Sequence, residues 1–174
     1  MAPRAGVEPA TPRLGGGCSI RLSYRGLGRI VTDRVDLDVF RSLNMRMHIK
    51  RILEETKTIA VVGLSNNPTK ASFGVAKYLM PFYRVIPVNP EYDEVLGLRC
   101  YPDLQSIPEK VDMVDLFQRS ENVMPFVRPS IDIGARYFWM QMGIRSARAR
   151  ADLEAEGIEV VEDLCLKVEH ARFL

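Results

Sequence analysis

Apolar positions along the chain fall into two alternating rhythms. Short continuous runs rich in β-branched and aromatic residues cover 59–62, 84–88, 113–117, 137–141 and 158–161. Their length and two apolar faces predict strands of a buried parallel sheet. Between them, apolar residues recur at helical spacing. Ile49, Ile52 and Leu53 share one face of a predicted helix over 47–57, and Val75, Ala76 and Leu79 one face of a helix over 72–80. A helix over 121–133 starts at Ser120 and stops at Gly134, with Pro125 and Pro129 predicting a kink or break. A further helix over 146–156 ends at Gly157. Residues 91–101 read as a loop with a short extended piece, 103–107 as a helical turn and 165–170 as a tail. Strands alternating with helices predict a five-stranded, mainly parallel, doubly wound α/β sheet with helices on both faces. Its ligand edge is the set of loops at the strand C-termini, where 63–72, Asn89-Pro90, Gln118-Arg119 and 141–143 converge.

The pattern weakens ahead of residue 45: Val35, Leu37, Phe40 and Leu43 fall at near-helical spacing, so 30–44 reads either as a short helix or as more leader. Residues 1–30 hold six of the twelve glycines and three prolines and show no periodicity, so no packed element is expected there. Gly6-Val7-Glu8-Pro9 and Arg21-Leu22-Ser23-Tyr24 match translated reverse complements of the T-arm and D-arm of a tRNA gene, in antisense order. Glu8 and Ser23 are 15 codons apart, about the spacing of those arms. Residues 1–44 are therefore expected to be a disordered leader read from a start codon placed too far upstream, with translation beginning near Met45 or Met47. A flexible native tail or a transit peptide is the competing reading, and mass spectrometry of the native N-terminus decides between them. The domain proper is 45–174.

Charge sharpens this division. The net charge is +2, but five of the 24 basic residues and only Glu8 of the 22 acidic ones fall in residues 1–30. That segment is +4, and the remaining 19 basic against 21 acidic residues make the domain −2. A slightly acidic domain does not predict a nucleic-acid partner. No apolar run approaches the length of a membrane span. Cys18, Cys100 and Cys165 have no paired spacing and the two histidines are far apart, which predicts reduced thiols in the cytoplasm and no metal site.

The candidate chemistry lies after the first strand, where Gly63 is followed by a polar loop of Ser65, Asn66, Asn67, Thr69 and Lys70 and by a helix start near Ser72. Strand, polar loop and helix N-terminus form a phosphate site. An NAD fingerprint requires Gly-x-Gly-x-x-Gly and an acid at the end of the second strand; here no glycine follows Gly63 until Gly74, and the strand ends in Asn89. A P-loop fails because no Gly-Lys-Ser/Thr follows. The loop is long enough to wrap a pyrophosphate with backbone amides, the Ser65 and Ser72 hydroxyls and the Lys70 ammonium.

Six motifs carry a resemblance: Ile-Ala-Val-Val-Gly-Leu-Ser (59–65), Ser72-Phe73-Gly74-Val75, Val85-Ile86-Pro87-Val88-Asn89-Pro90, Val111-Asp112-Met113-Val114-Asp115, Trp139-Met140-Gln141-Met142-Gly143-Ile144 and Cys165-x-Lys167-x-Glu169-His170. Together, in this order from about Leu53 to Leu174, they resemble the single-domain CoA-binding proteins. That family is similar to the Rossmann-like CoA-binding domain of the succinyl-CoA synthetase α subunit. The resemblance implies that Gly63, Ser65, Lys70 and Ser72 surround the phosphates of coenzyme A or an acyl-CoA, with Asn66 and Gly74 also in the cofactor site. Asn89 and Pro90 would lie at the adenosine end, Arg119 beside the phosphates, and Gln141 and Gly143 near the pantetheine path. Lys70 stands where relatives often carry arginine; it keeps the charge but loses bidentate phosphate binding.

Each residue also has a purely structural reading. Gly63 serves a tight turn with or without ligand, Ser72 suits an N-cap, Asn89-Pro90 suits a plain strand end, and Arg119 suits a solvated loop. Trp139 reads as core. The synthetase phosphohistidine belongs to a second domain outside this resemblance, so His170 beside Glu169 reads as a structural pair; Cys165, Asp112 and Asp115 form no evident catalytic set. The expected role is a non-catalytic binding or regulatory module, and a homodimer is the expected assembly. A ligase-partner or acyl-CoA-handling enzyme and an NAD-binding sensor are the alternatives.

Overall fold

The computed structural model describes residues 34–174; the expectations for residues 1–33 lie outside the described residues, and residues 34–44 of the expected leader are helical. The elements in order are α1 (Arg34–Glu55), β1 (Thr58–Val62), α2 (Ala71–Leu79), β2 (Arg84–Val88), the two short strands β3 (Glu94–Val95) and β4 (Leu98–Arg99), β5 (Met113–Leu116), α3 (Val127–Asp132), β6 (Tyr137–Met140), α4 (Ala147–Ala155), β7 (Glu159–Val161) and α5 (Leu166–Phe173). Five strands form one parallel sheet in the order β2-β1-β5-β6-β7. The chain winds outward from β1 in one direction and then from β5 in the other, so the switch point lies between β1 and β5. Ligands of open α/β sheets bind above such a point, outside the strand C-termini.

Alternate residues of each strand feed two cores. Ala60, Val62, Ile86, Val114, Leu116, Phe138 and Met140 pack with Val127 of α3 and Ala149 and Leu153 of α4. Ile59, Val61, Val85, Met113, Tyr137 and Trp139 pack with Ile49, Ile52 and Leu53 of α1, Val75 and Leu79 of α2 and Leu166 of α5. Trp139 is fully buried, and its indole N–H donates to the Leu164 carbonyl at 2.7 Å, the core role expected of it. Asp112 closes the opposite end of the sheet, where its Oδ2 accepts the N–H groups of Lys57 and Thr58 at 3.0 and 3.1 Å.

Four elements differ from the sequence reading. The first helix begins at Arg34 and not near residue 47, because neither glycine nor proline interrupts the chain between Gly28 and Gly63. The helix expected over 121–133 is two 3-10 turns, at Ser120–Asn122 and Met124–Phe126, followed by α3. Pro129 then occupies the first turn of α3, where its missing N–H costs nothing. Residues 91–101 contain the β3–β4 hairpin, after which Tyr101 bridges back to Val88. The tail expected over 165–170 is α5, docked through Leu166, Glu169 and His170.

Candidate functional site

Gly63 ends β1 with φ of 79°, and its N–H donates to the Val88 carbonyl at 2.9 Å. The backbone therefore turns sharply upward beside β5, a left-handed turn that favours glycine. The loop that follows is tied down by its own side chains. The N–H of Ser65 donates to Ser72 Oγ at 3.2 Å, the N–H of Asn67 to Ser65 Oγ at 3.2 Å, and the N–H of Thr69 to Asn67 Oδ1 at 2.9 Å. Asn89 Nδ2 donates to the Leu64 carbonyl at 2.9 Å, joining the end of β2 to the loop. Ser72 is thus a loop clamp and not the cap of α2: Lys70 holds the cap position, and no side chain caps that helix end.

Above the switch point lies a hollow of about 620 Å³. The loop after β1 and the first turn of α2 form one wall with Gly63, Ser65, Lys70, Ala71 and Ser72. The loop after β5 contributes Phe117, Gln118 and Arg119, the loop after β6 contributes Gln141, Met142 and Ile144, and the start of α5 contributes Cys165. Among the described residues two cationic side chains, Lys70 and Arg119, line the hollow and no carboxylate does. The uncapped first turn of α2 adds free N–H donors and the positive end of the helix dipole. Hydroxyls, cations and a helix start around one concave space can hold an anion such as a phosphate.

A larger hollow of about 720 Å³ lies at the edge of the sheet, between α1 and β7. Its arginines are already matched within the protein, Arg145 on Asp163 and Arg150 on Glu154 and Glu162, and His48 Nδ1 lies 3.4 Å from Glu159. The smaller hollow has the topology and the unmatched positive lining that a ligand site requires.

Of the residues singled out from sequence, Gly63, Ser65, Lys70, Ser72, Arg119 and Gln141 meet at this hollow. Asn66, Gly74, Asn89, Pro90 and Gly143 are not among its lining. Gly74 faces outward on α2, with nothing within 4 Å of where a Cβ would stand. The side chain of Asn89 is occupied by Leu64 and by the N–H of Glu91 at 3.0 Å. Gly143 has φ of 81° and donates its N–H to Asp163 Oδ1 at 2.7 Å, which shapes the loop between Met142 and Ile144. Gln118, Met142, Ile144 and Cys165 are wall residues that the site list drawn from sequence lacks.

The temptations of His170 resolve geometrically. It is 3 % exposed, its Nδ1 lies 3.1 Å from the Tyr78 hydroxyl, and Tyr78, Phe82 and Tyr83 surround the ring. Burial holds its pKa below the ordinary value. Among the described residues no group of His, Cys, Asp and Glu could hold a metal ion, and no helix is long and apolar enough to cross a membrane.

Residues 57–171 match the family described as CoA binding domain. The chain is 39% identical over 127 residues to the uncharacterized protein YneT of Bacillus subtilis, covering 72% of this chain and 94% of that one. It is 31% identical over 123 residues to an ADP-forming acetate–CoA ligase of Archaeoglobus fulgidus, covering 63% of this chain but 18% of the ligase. Among solved structures, a hypothetical protein from Pyrococcus horikoshii OT3 superposes with a TM-score of 0.72 at 38% identity, covering 74% of this chain and 91% of that chain.

Proposed function

The chain belongs to the CoA-binding domain family, and on that premise we propose that the hollow at the switch point binds coenzyme A or an acyl-CoA. Lys70, Arg119 and the uncapped first turn of α2 take the phosphates, and the hydroxyls of Ser65 and Ser72 hold the loop around them. The pantetheine arm runs along Gln141, Met142, Ile144 and Cys165, a wall of mixed polarity suited to an amide-bearing chain. The observation that carries this reading is the cation-lined, carboxylate-free hollow beside an uncapped helix start. A polyanion is the ligand class that such a lining stabilises.

The role we infer is a binding or regulatory module. His170 is enclosed by aromatic rings, away from the hollow, and Asp112 is spent on backbone N–H groups. The second reading is a ligase partner, favoured by the likeness to the A. fulgidus acetate–CoA ligase. An NAD sensor draws less support, because Asn89 stands where an acid would hold the ribose and its side chain is committed to the loop. Calorimetry with CoA, acetyl-CoA and NAD side by side tests the proposal. Binding of CoA or acetyl-CoA with a weaker response to NAD is expected; tight NAD binding without CoA binding overturns it. Co-purification of a nucleotide-grasp subunit would move the assignment to the ligase reading.

A further inference from the structure

The hollow is lined by cations, yet a carboxyl group is buried one hydrogen bond behind its wall. Asp115 is 0 % exposed on β5. Its Oδ1 accepts from Gln141 Nε2 at 2.7 Å, and its Oδ2 has no hydrogen-bond partner among the described residues. Gln141, itself buried, lines the hollow, and its Oε1 accepts the backbone N–H of Leu166, the first residue of α5, at 3.3 Å. One side-chain amide therefore joins the buried acid, the ligand hollow and the start of the last helix.

Among the described residues no charged side chain hydrogen-bonds or pairs with Asp115. Asp115 stands in register with Val61 of β1 and Trp139 of β6. The buried residues of α2 are Ser72, Val75, Ala76 and Leu79. On α5, Glu169 faces Arg172 at 3.5 Å and His170 bonds to Tyr78. The remaining titratable groups nearby, Lys70, Arg119 and Cys165, line the hollow itself. Burial accordingly raises the pKa of Asp115 to about 7, partly opposed by the Gln141 hydrogen bond.

We propose that Asp115 is a positioning residue for the ligand site, taking up a proton when a polyanion occupies the hollow and so linking ligand affinity and the seating of Gln141 on α5 to pH. This rests on reading the hollow as a CoA site. Negative charge on a bound ligand is poorly screened inside the protein and favours the neutral form of a nearby buried acid. By linkage, the neutral acid favours the ligand. A ligand that raises the carboxyl pKa by one unit binds about tenfold more weakly well above that pKa than well below it.

The phosphate monoester of CoA also titrates, at about pH 6, so the test compares the wild-type chain with Asp115→Asn. The variant keeps the shape of the side chain and an acceptor for Gln141. Calorimetry with CoA at pH 6 and 8.5 is expected to show the wild type losing about tenfold more affinity than the variant. Proton uptake on binding, read from the heat in buffers of different ionisation enthalpy, is expected to be larger in the wild type. Parallel pH profiles for the two proteins overturn the proposal and leave the CoA reading standing. Failure of the wild-type chain to bind CoA at either pH overturns both. A carbon-13 carboxyl titration of the wild-type full-length chain needs no variant: one aspartate should titrate near neutrality and move upward when CoA is added. A midpoint below pH 5, or one that CoA leaves in place, refutes the linkage.

Discussion

Gly63→Ala is the sharpest test of the turn that builds the site. Its φ of 79° lies in the left-handed region, where a side chain costs about 1–2 kcal/mol. The added Cβ would stand 2.4 Å from the Phe117 carbonyl oxygen and 3.1 Å from Gln118 Nε2. The glutamine can swing away, but the carbonyl is backbone. Phe117 is pinned by its N–H to the Val62 carbonyl at 2.9 Å, and Gly63 by its own N–H to Val88 at 2.9 Å. Relief therefore requires the C-terminal ends of β1 and β5 to separate at the switch point, an overpacking strain of about 1–3 kcal/mol. The two contributions predict a loss of about 2–5 kcal/mol, or on the order of 10 °C in Tm. Gly143→Ala is the matched control. Its φ is 81°, but nothing lies within 4 Å of the new Cβ, so only the conformational part, about 1–2 kcal/mol, applies. Urea unfolding of both variants, followed by the fluorescence of the single tryptophan, measures the difference. Equal losses at the two positions would refute the claim that Phe117 makes Gly63 indispensable.

Lys70→Ala is expected to weaken CoA by about tenfold, as one charge-assisted contact to phosphate is lost, with unfolding midpoints unchanged; unchanged affinity in calorimetry removes Lys70 from the site. His170 has a depressed pKa through burial, so its contribution to stability is intact above the unfolded value of about 6.5 and is lost as pH falls below it, where the unfolded chain takes the proton first. Urea unfolding at pH 7.5 and 5.5 is expected to show a larger acid loss for the wild type than for His170→Phe; equal losses contradict that origin.

The sheet was legible because parallel strands buried on both faces leave continuous apolar runs, and all five lie where those runs fall. The helices were less legible wherever tertiary contact decides. α5 buries Glu169 and His170, so no apolar periodicity marks it, and aromatic partners from α2 and the following turn hold it in place. The near half of the site, Gly63 to Ser72, is contiguous in sequence and readable as a phosphate loop. The far half was legible only in part: the alternation of strands and helices placed 118–119 and 141–143 at the same edge, whereas Ile144 and Cys165 reach the hollow through the turn after β6 and the docking of α5. Asn89 illustrates the same limit, since its position at a strand end was clear while the hydrogen bonds that engage its side chain were not. The one sign of Asp115 was an acid inside an otherwise apolar run, a pattern equally expected of a half-exposed strand.

That acid makes a prediction of its own for the ligand-free protein. Its pKa rises from an ordinary 3.8 to about 7 in the folded state. Below pH 3.8 the carboxyl is neutral in both states and contributes nothing. Between the two values the folded chain keeps a proton that the unfolded chain has released, so stability falls as pH rises, and above pH 7 the whole penalty is present. Three pKa units correspond to about 4 kcal/mol at most. Asp115→Asn preserves the acceptor for Gln141 and removes the ionisation, but places an amide N–H₂ where Oδ2 has no partner, which returns about 1–3 kcal/mol of that gain. The variant should therefore gain relative stability between pH 5 and pH 8, measured as a growing difference in urea midpoint. A difference that stays constant across that range would show that the buried carboxyl does not titrate there.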